Sequence, residues 1–224
     1  MKLHAASRWL SQVLLGLIGT LSAWAQPVPD SLDFEQTFSV KDEPAQVHFV
    51  AEYGQGSQRH RLEVWRDAER RLLRRTDQRL QTLAWRGTDA ADLRLVQLDL
   101  TRKIRTDIDR TALARLGQWV DWFGLAHGLN RPKGPYRLTQ STPHPAPNGQ
   151  PVAPCQWLRL EQGPQTSFIC WSSSLKLPLL LMDDSARVIW RVRRFDTQPI
   201  AASLYEINDD GFVRNDASAD INAD

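Results

Sequence analysis

Val47-His48-Phe49-Val50-Ala51-Glu52-Tyr53, then Gly54-Gln55-Gly56-Ser57, then His60-Arg61-Leu62-Glu63-Val64-Trp65-Arg66 is the stretch that decides the fold. Val47, Phe49, Ala51 and Tyr53 fall on one face of an extended segment. Leu62 and Val64 fall on one face of the next, with Trp65 on the other. Period-two alternation broken by Gly, Gln and Ser is the pattern of two antiparallel strands and their turn. Downstream, Arg70 to Arg75, Leu80 to Trp85, Leu93 to Leu100 and Ile104 to Ile108 read as further strands, with Asp67-Ala68 and Asp77-Gln78 as turns. A turn signal every 8–12 residues or so predicts a meander. Residues 59–79 hold eight Arg against four acids (Glu63, Asp67, Glu69, Asp77). A solvated strand face explains them better than a site for lipid head groups or an acidic partner, and charge there blunts edge pairing.

The period then changes. From Asp109 to Leu129, apolar residues recur every three or four positions: Leu113, Leu116, Val120, Phe123, then Ala126 or His127. Asp109 and Thr111 are N-cap residue types, while Gly117, Gly124 and Gly128 weaken a single long helix. The expectation is one helix from Arg110 to Gln118 and a shorter one from Trp119 to His127, ended by Gly128 and Pro132. Tyr136 to Thr139 reads as a strand. Residues 141–154 carry Pro143, Pro145, Pro147, Pro151 and Pro154 and read as an extended surface loop rather than a domain linker, since the chain is β-rich on both sides. Cys155 to Leu160, Thr166 to Trp171, Leu177 to Met182, Val188 to Phe195 and Ile200 to Ile207 form a second meander. The fold class is mainly β (α+β), in one domain over residues 26–213, with an acidic tail over 214–224.

Residues 1–25 read as a cleaved signal peptide: Lys2 and Arg8, an apolar run from Leu10 to Leu21, then Ala23-Trp24-Ala25. That run is too short to cross a bilayer, which takes about 20 apolar residues, and no later segment is longer. Cleavage after Ala25 would leave 199 of the 224 residues, with 26 acids against 26 Lys and Arg. The expectation is a soluble periplasmic protein with no membrane span. A neutral mature chain also removes the electrostatic basis for nucleic-acid binding. In an oxidising compartment the two cysteines, Cys155 and Cys170, are expected to form a disulfide rather than remain two free thiols. If they sit opposite one another, Trp157 faces Phe168, Leu160 faces Gln165, and Glu161 to Pro164 is a four-residue loop.

Few residues suggest chemistry. The histidines past residue 25 are His48, His60, His127 and His144, and no G-x-S-x-G surrounds any Ser. His127 with Asp121 and a distant Ser is outweighed by a helix-end histidine. No cofactor motif is present, and no His or Cys pair has zinc-ligand spacing. Asp220, Asn222 and Asp224 follow the first half of a calcium loop, but its glycine and closing Glu are missing, and a solvated acidic tail is the better reading. Seven tryptophans lie past residue 25. Ordinary core packing accounts for that number. So does an apolar cavity with a helical cover, whose candidate residues are Trp65, Trp85, Leu116, Trp119, Trp122 and Phe123.

Arg61-Leu62-Glu63-Val64-Trp65-Arg66-Asp67, Leu95-Val96-Gln97-Leu98-Asp99-Leu100, the run from Cys170-Trp171-Ser172 to Leu177-Pro178-Leu179-Leu180, and Pro199 to Ile207 together resemble uncharacterised relatives in the LolA/LolB-like family of periplasmic lipoprotein carriers. The resemblance covers about residues 45–213. It implies an antiparallel meander forming an open half-barrel, with a short helical insertion covering its concave face. It also implies non-catalytic binding of a lipid, a lipoprotein acyl chain or another apolar ligand. The alternative is an envelope protein–protein interaction or stress-sensing module built on the same fold.

Overall fold

The computed structural model describes residues 31–67, 70–88, 93–108, 121–142 and 150–216. The segments assigned above to the signal peptide, the helix from Arg110 to Gln118 and the candidate calcium ligands lie outside these residues, as do Leu116 and Trp119.

Six strands form the first meander: β1 (Gln46–Tyr53), β2 (His60–Asp67), β3 (Arg71–Thr76), β4 (Leu80–Arg86), β5 (Leu93–Asp99) and β6 (Ile104–Ile108). Five form the second: β7 (Arg137–Gln140), β8 (Gln156–Gln162), β9 (Gln165–Ser172), β10 (Leu177–Asp183) and β11 (Val188–Asp196). β1 pairs with β2 on one side and with β11 on the other, so the two meanders fuse and, with a last strand β12 (Val213–Asp216), make one open twelve-stranded sheet, ordered β12-β6-β5-β4-β3-β2-β1-β11-β10-β9-β8-β7. Every pairing is antiparallel except that of β12, which runs parallel to β6. The chain thus re-enters the sheet where the sequence suggests an acidic tail. The result is the mainly β, unclosed half-barrel architecture.

Burial sorts the two faces. On one face the cross-strand row Arg66, Leu72, Ala84, Leu95, Ile108 adjoins the main core cluster. Val47, Phe49, Val64, Leu177, Trp190 and Val192 belong to that same cluster. We call this the inner face. On the outer face the row Trp65, Leu73, Leu83, Val96 is covered by Ile200, Leu204, Tyr205, Ile207 and Phe212. A third cluster joins Phe34 and Phe38 to Phe123, Leu138, Leu158, Ile169 and Trp171.

Three local readings change. The β8–β9 hairpin closes Gln162 onto Gln165, so its loop is the two residues Gly163 and Pro164, not four. Gly163 takes φ 56°, the positive value that primed hairpin turns need at the first central position. Pro164 costs no ladder bond, because a central turn residue donates none. The register therefore slips by two: Trp157 faces Cys170, and Arg159 faces Phe168. The disulfide Cys155–Cys170 still forms, with Cα atoms 5.3 Å apart, but diagonally, from just before β8. Second, the segment Ile200 to Ile207 is not a strand. Its centre is a 3₁₀ turn, Ala202–Tyr205, in which Leu204 N donates to Ala201 O at 3.0 Å. Ala201, Ala202 and Ser203 lack the β-branched or aromatic side chains that favour extension. Third, a short helix unannounced by periodicity, α1 (Phe34–Thr37), is capped by Asp33, which accepts from Gln36 N at 2.8 Å. Phe38, just past its end, packs edge-on to Trp171 at 5.0 Å.

Candidate functional site

Among the described residues, the helix laid on the inner face is α2 (Trp122–His127). It starts three residues later than its periodicity suggests because Asp121 is the N-cap, accepting from Gly124 N at 2.6 Å. It ends at Gly128, φ 68°, where a Cβ would come within 2.8 Å of the Trp190 ring. Leu125 joins the main cluster, with Trp122 packed against it, while Phe123 joins the aromatic cluster around α1. Arg131 lies over the Phe123 ring at 4.7 Å and pairs with Glu35 and Asp121.

Beneath α2 is a buried polar knot. Arg66, 3% exposed, donates to Ala126 O at 2.9 Å and to Leu175 O at 2.7 Å, and its guanidinium also touches His127 Nδ1. It thereby ties β2 to both the end of α2 and the β9–β10 turn. Its Nε has no partner, and burial lowers its pKa to about 10. Glu43 approaches both Arg66 and His127 Nε2 at 3.6 Å. Burial raises the Glu43 pKa, against the pull of Arg66, Arg86 and Lys176. His127 is 1% exposed; burial first, then the Arg66 charge, depress its pKa to about 3. Its imidazole is therefore neutral at pH 7, with Nδ1 2.8 Å from the Lys176 carbonyl. One nitrogen can donate to that carbonyl or accept from Arg66, not both. Asp121, the sequence-level partner considered for His127, is engaged instead with Gly124 and Arg131.

The next row across the inner face is Phe49, Val64, Arg74, Thr82, Gln97, Thr106. It is apolar at β1 and β2 and polar from β3 onward. Arg74 is half-buried by exposure, yet its guanidinium lies deep enough for burial to lower its pKa.

The candidate cavity residues separate. Trp122 and Phe123 are on α2, at the inner face. Trp65 and Trp85 pack in the outer-face cluster. There Trp65 stacks on His48 at 4.8 Å and lies under Arg75 at 5.3 Å, and Arg94 lies over Trp85 at 5.9 Å. The two ring nitrogens of His48 face Glu63 at 3.0 Å and Asp196 at 2.9 Å. Sequence reasoning missed Glu43, Arg66 and Arg74. Eight arginines in 59–79 look alike by composition; strand parity places Arg66 on the Val64 side, but placing Arg74 there takes the β2–β3 register. Among the described residues, no three His, Cys, Asp or Glu form a metal-binding group, and no helix is long and apolar enough to cross a membrane.

No family model matches this chain, and no curated protein matches it. Among solved structures, a crystal structure of MucB is similar at TM-score 0.39 and 12% identity, over 77% of this chain. The match spans 61% of the MucB chain.

Proposed function

We propose that this protein is a non-catalytic binding module of the LolA/LolB-like kind. On this reading it is exported to the periplasm and holds a lipid, a lipoprotein acyl chain or another apolar ligand. One observation carries it. The sheet stays open, and its main core is rimmed by half-buried apolar side chains, among them Tyr53, Leu93, Ile108, Trp122, Phe168 and Val188. An apolar rim on an unclosed sheet, with a six-residue helix beside it among the described residues, is a surface that suits an acyl chain. The disulfide accords with an oxidising compartment.

The test is native mass spectrometry of the protein purified from a periplasmic extract, followed by solvent extraction. A co-purifying lipid mass that leaves on denaturation supports the reading. A clean apo mass, with no uptake of added lipid, refutes it and favours the envelope-interaction alternative, to be pursued by cross-linking.

A further inference from the structure

We propose that Arg74 is the anion-recognition residue of the inner face, and that the ligand is an amphiphile with a carboxylate or phosphate head. This rests on the reading of the inner face as a binding surface and narrows it to a ligand class.

Arg74 sits on β3, an interior strand, directly between Val64 and Thr82. Val64 is fully buried in the main cluster, so Arg74 shares the face of that cluster. Several other desolvated or tightly held arginines have fixed partners. Arg66 has two carbonyls and Glu43, Arg105 has Asp107 and Asp209, and Arg131 has Glu35 and Asp121. Among the described residues, no hydrogen bond or ion pair engages the Arg74 guanidinium. Burial lowers its pKa, and no carboxylate is among the groups that oppose that effect. A guanidinium buried without a counter-charge is costly, and its planar fork of donors fits a carboxylate or phosphate in two-point contact.

The neighbours complete the case. Thr82, Gln97 and Thr106 extend the row away from Arg74 with hydroxyl and amide groups, all half-buried. The adjacent row, Leu72, Ala84, Leu95 and Ile108, is apolar. A charge with free donors, a polar row beside it and an apolar row alongside match a head and a chain on one molecule. A wholly apolar ligand would leave the Arg74 charge uncompensated.

The experiment uses three probes of equal chain length below their micelle concentrations: sodium laurate, dodecyl phosphate and neutral 1-dodecanol. Binding to the purified protein is read by tryptophan fluorescence and calorimetry. Both anions should bind about tenfold or more tightly than dodecanol, as a two-point charged contact warrants. Arg74→Met should remove that preference and leave dodecanol binding unchanged. The stronger of the two anions identifies the head group: laurate points to a free fatty acid, dodecyl phosphate to a phospholipid-type head. Equal binding of all three probes to the unsubstituted protein overturns the assignment while the apolar-ligand reading survives. So does a preference retained in Arg74→Met. Binding of none of the probes overturns both. Should Arg74→Met fail to fold, the comparison on the unsubstituted protein still decides. Arg74→Lys, which keeps the charge and loses the fork, should then weaken anion binding several-fold.

Discussion

Acid should destabilise this protein through His127, and the size of the effect follows from its burial. The unfolded chain takes up a proton on this imidazole near pH 6.5; the folded chain refuses it until about pH 3. The unfolded state therefore binds more protons throughout that window. The stabilisation is complete above pH 6.5 and falls as pH falls toward 3. By pH 4 the loss amounts to about 3 kcal/mol. For a chain of this size that is a fall in Tm of roughly 6–12 °C. Glu43 works the other way: burial raises its pKa, so the folded state gains that proton first, which offsets part of the loss. Arg66 and Arg131 keep their charge across the window. The assay is urea denaturation at pH 7, 5.5 and 4, on the unsubstituted protein and on His127→Gln. Paired carboxylates elsewhere titrate in both proteins and cancel in the difference. His127→Gln should be less stable at pH 7, yet its stability should fall less steeply with acid, by about 3 kcal/mol over the range. Parallel curves would refute the argument, because they would mean that His127 is not held neutral by burial.

Three further outcomes are expected. Arg66→Met should cost about 3–5 kcal/mol, since it strips donors from the buried Ala126 and Leu175 carbonyls and leaves half-buried Glu43 without that cation. Hydrogen exchange should then show faster exchange of the α2 amides, whereas a neutral or stabilising effect would mean that the knot is dispensable. Gly128→Ala should cost about 2 kcal/mol or more, read from the urea midpoint, because φ 68° disfavours a side chain and its Cβ would meet Trp190. Reducing Cys155–Cys170, whose cysteines are 15 residues apart, should cost about 3 kcal/mol, measured with and without dithiothreitol; an unchanged midpoint would contradict the loop-closure argument.

Residues with strong local signals kept their predicted states. Val47 to Tyr53 and His60 to Arg66 became strands because alternation and turn residues act over a few positions. Gly128 ends α2 as its position suggests, because a cap acts within one turn, whereas Asp121, the actual N-cap, is not read as one from the sequence. Where long-range packing competes, local reading failed. Ile200 to Ile207 looks apolar enough for a strand, but its side chains serve by covering Leu73 and Leu83 from outside the sheet. Phe34 and Phe38 carry no periodic signal, and they are buried because Trp171, far away in sequence, waits for them. The hairpin at Gly163-Pro164 shows a subtler failure: the missing proline N–H mattered less than the position it occupies.

The sequence by itself determined most of the elements: which segments extend in the two meanders, that two cysteines join, and that the chain is mainly β. These follow from interactions between residues within about fifteen positions of each other, which a linear pattern records. Only the tertiary structure decided that β1 pairs with β11, that β12 returns in parallel beside β6, and that Trp65 and Trp85 lie on the opposite face from Trp122. It also chose Arg66 and Arg74 from a run of similar arginines. The physical reason is the same in each case. Burial is a property of the assembled sheet, and a charge is made exceptional by what surrounds it, not by its place in the chain.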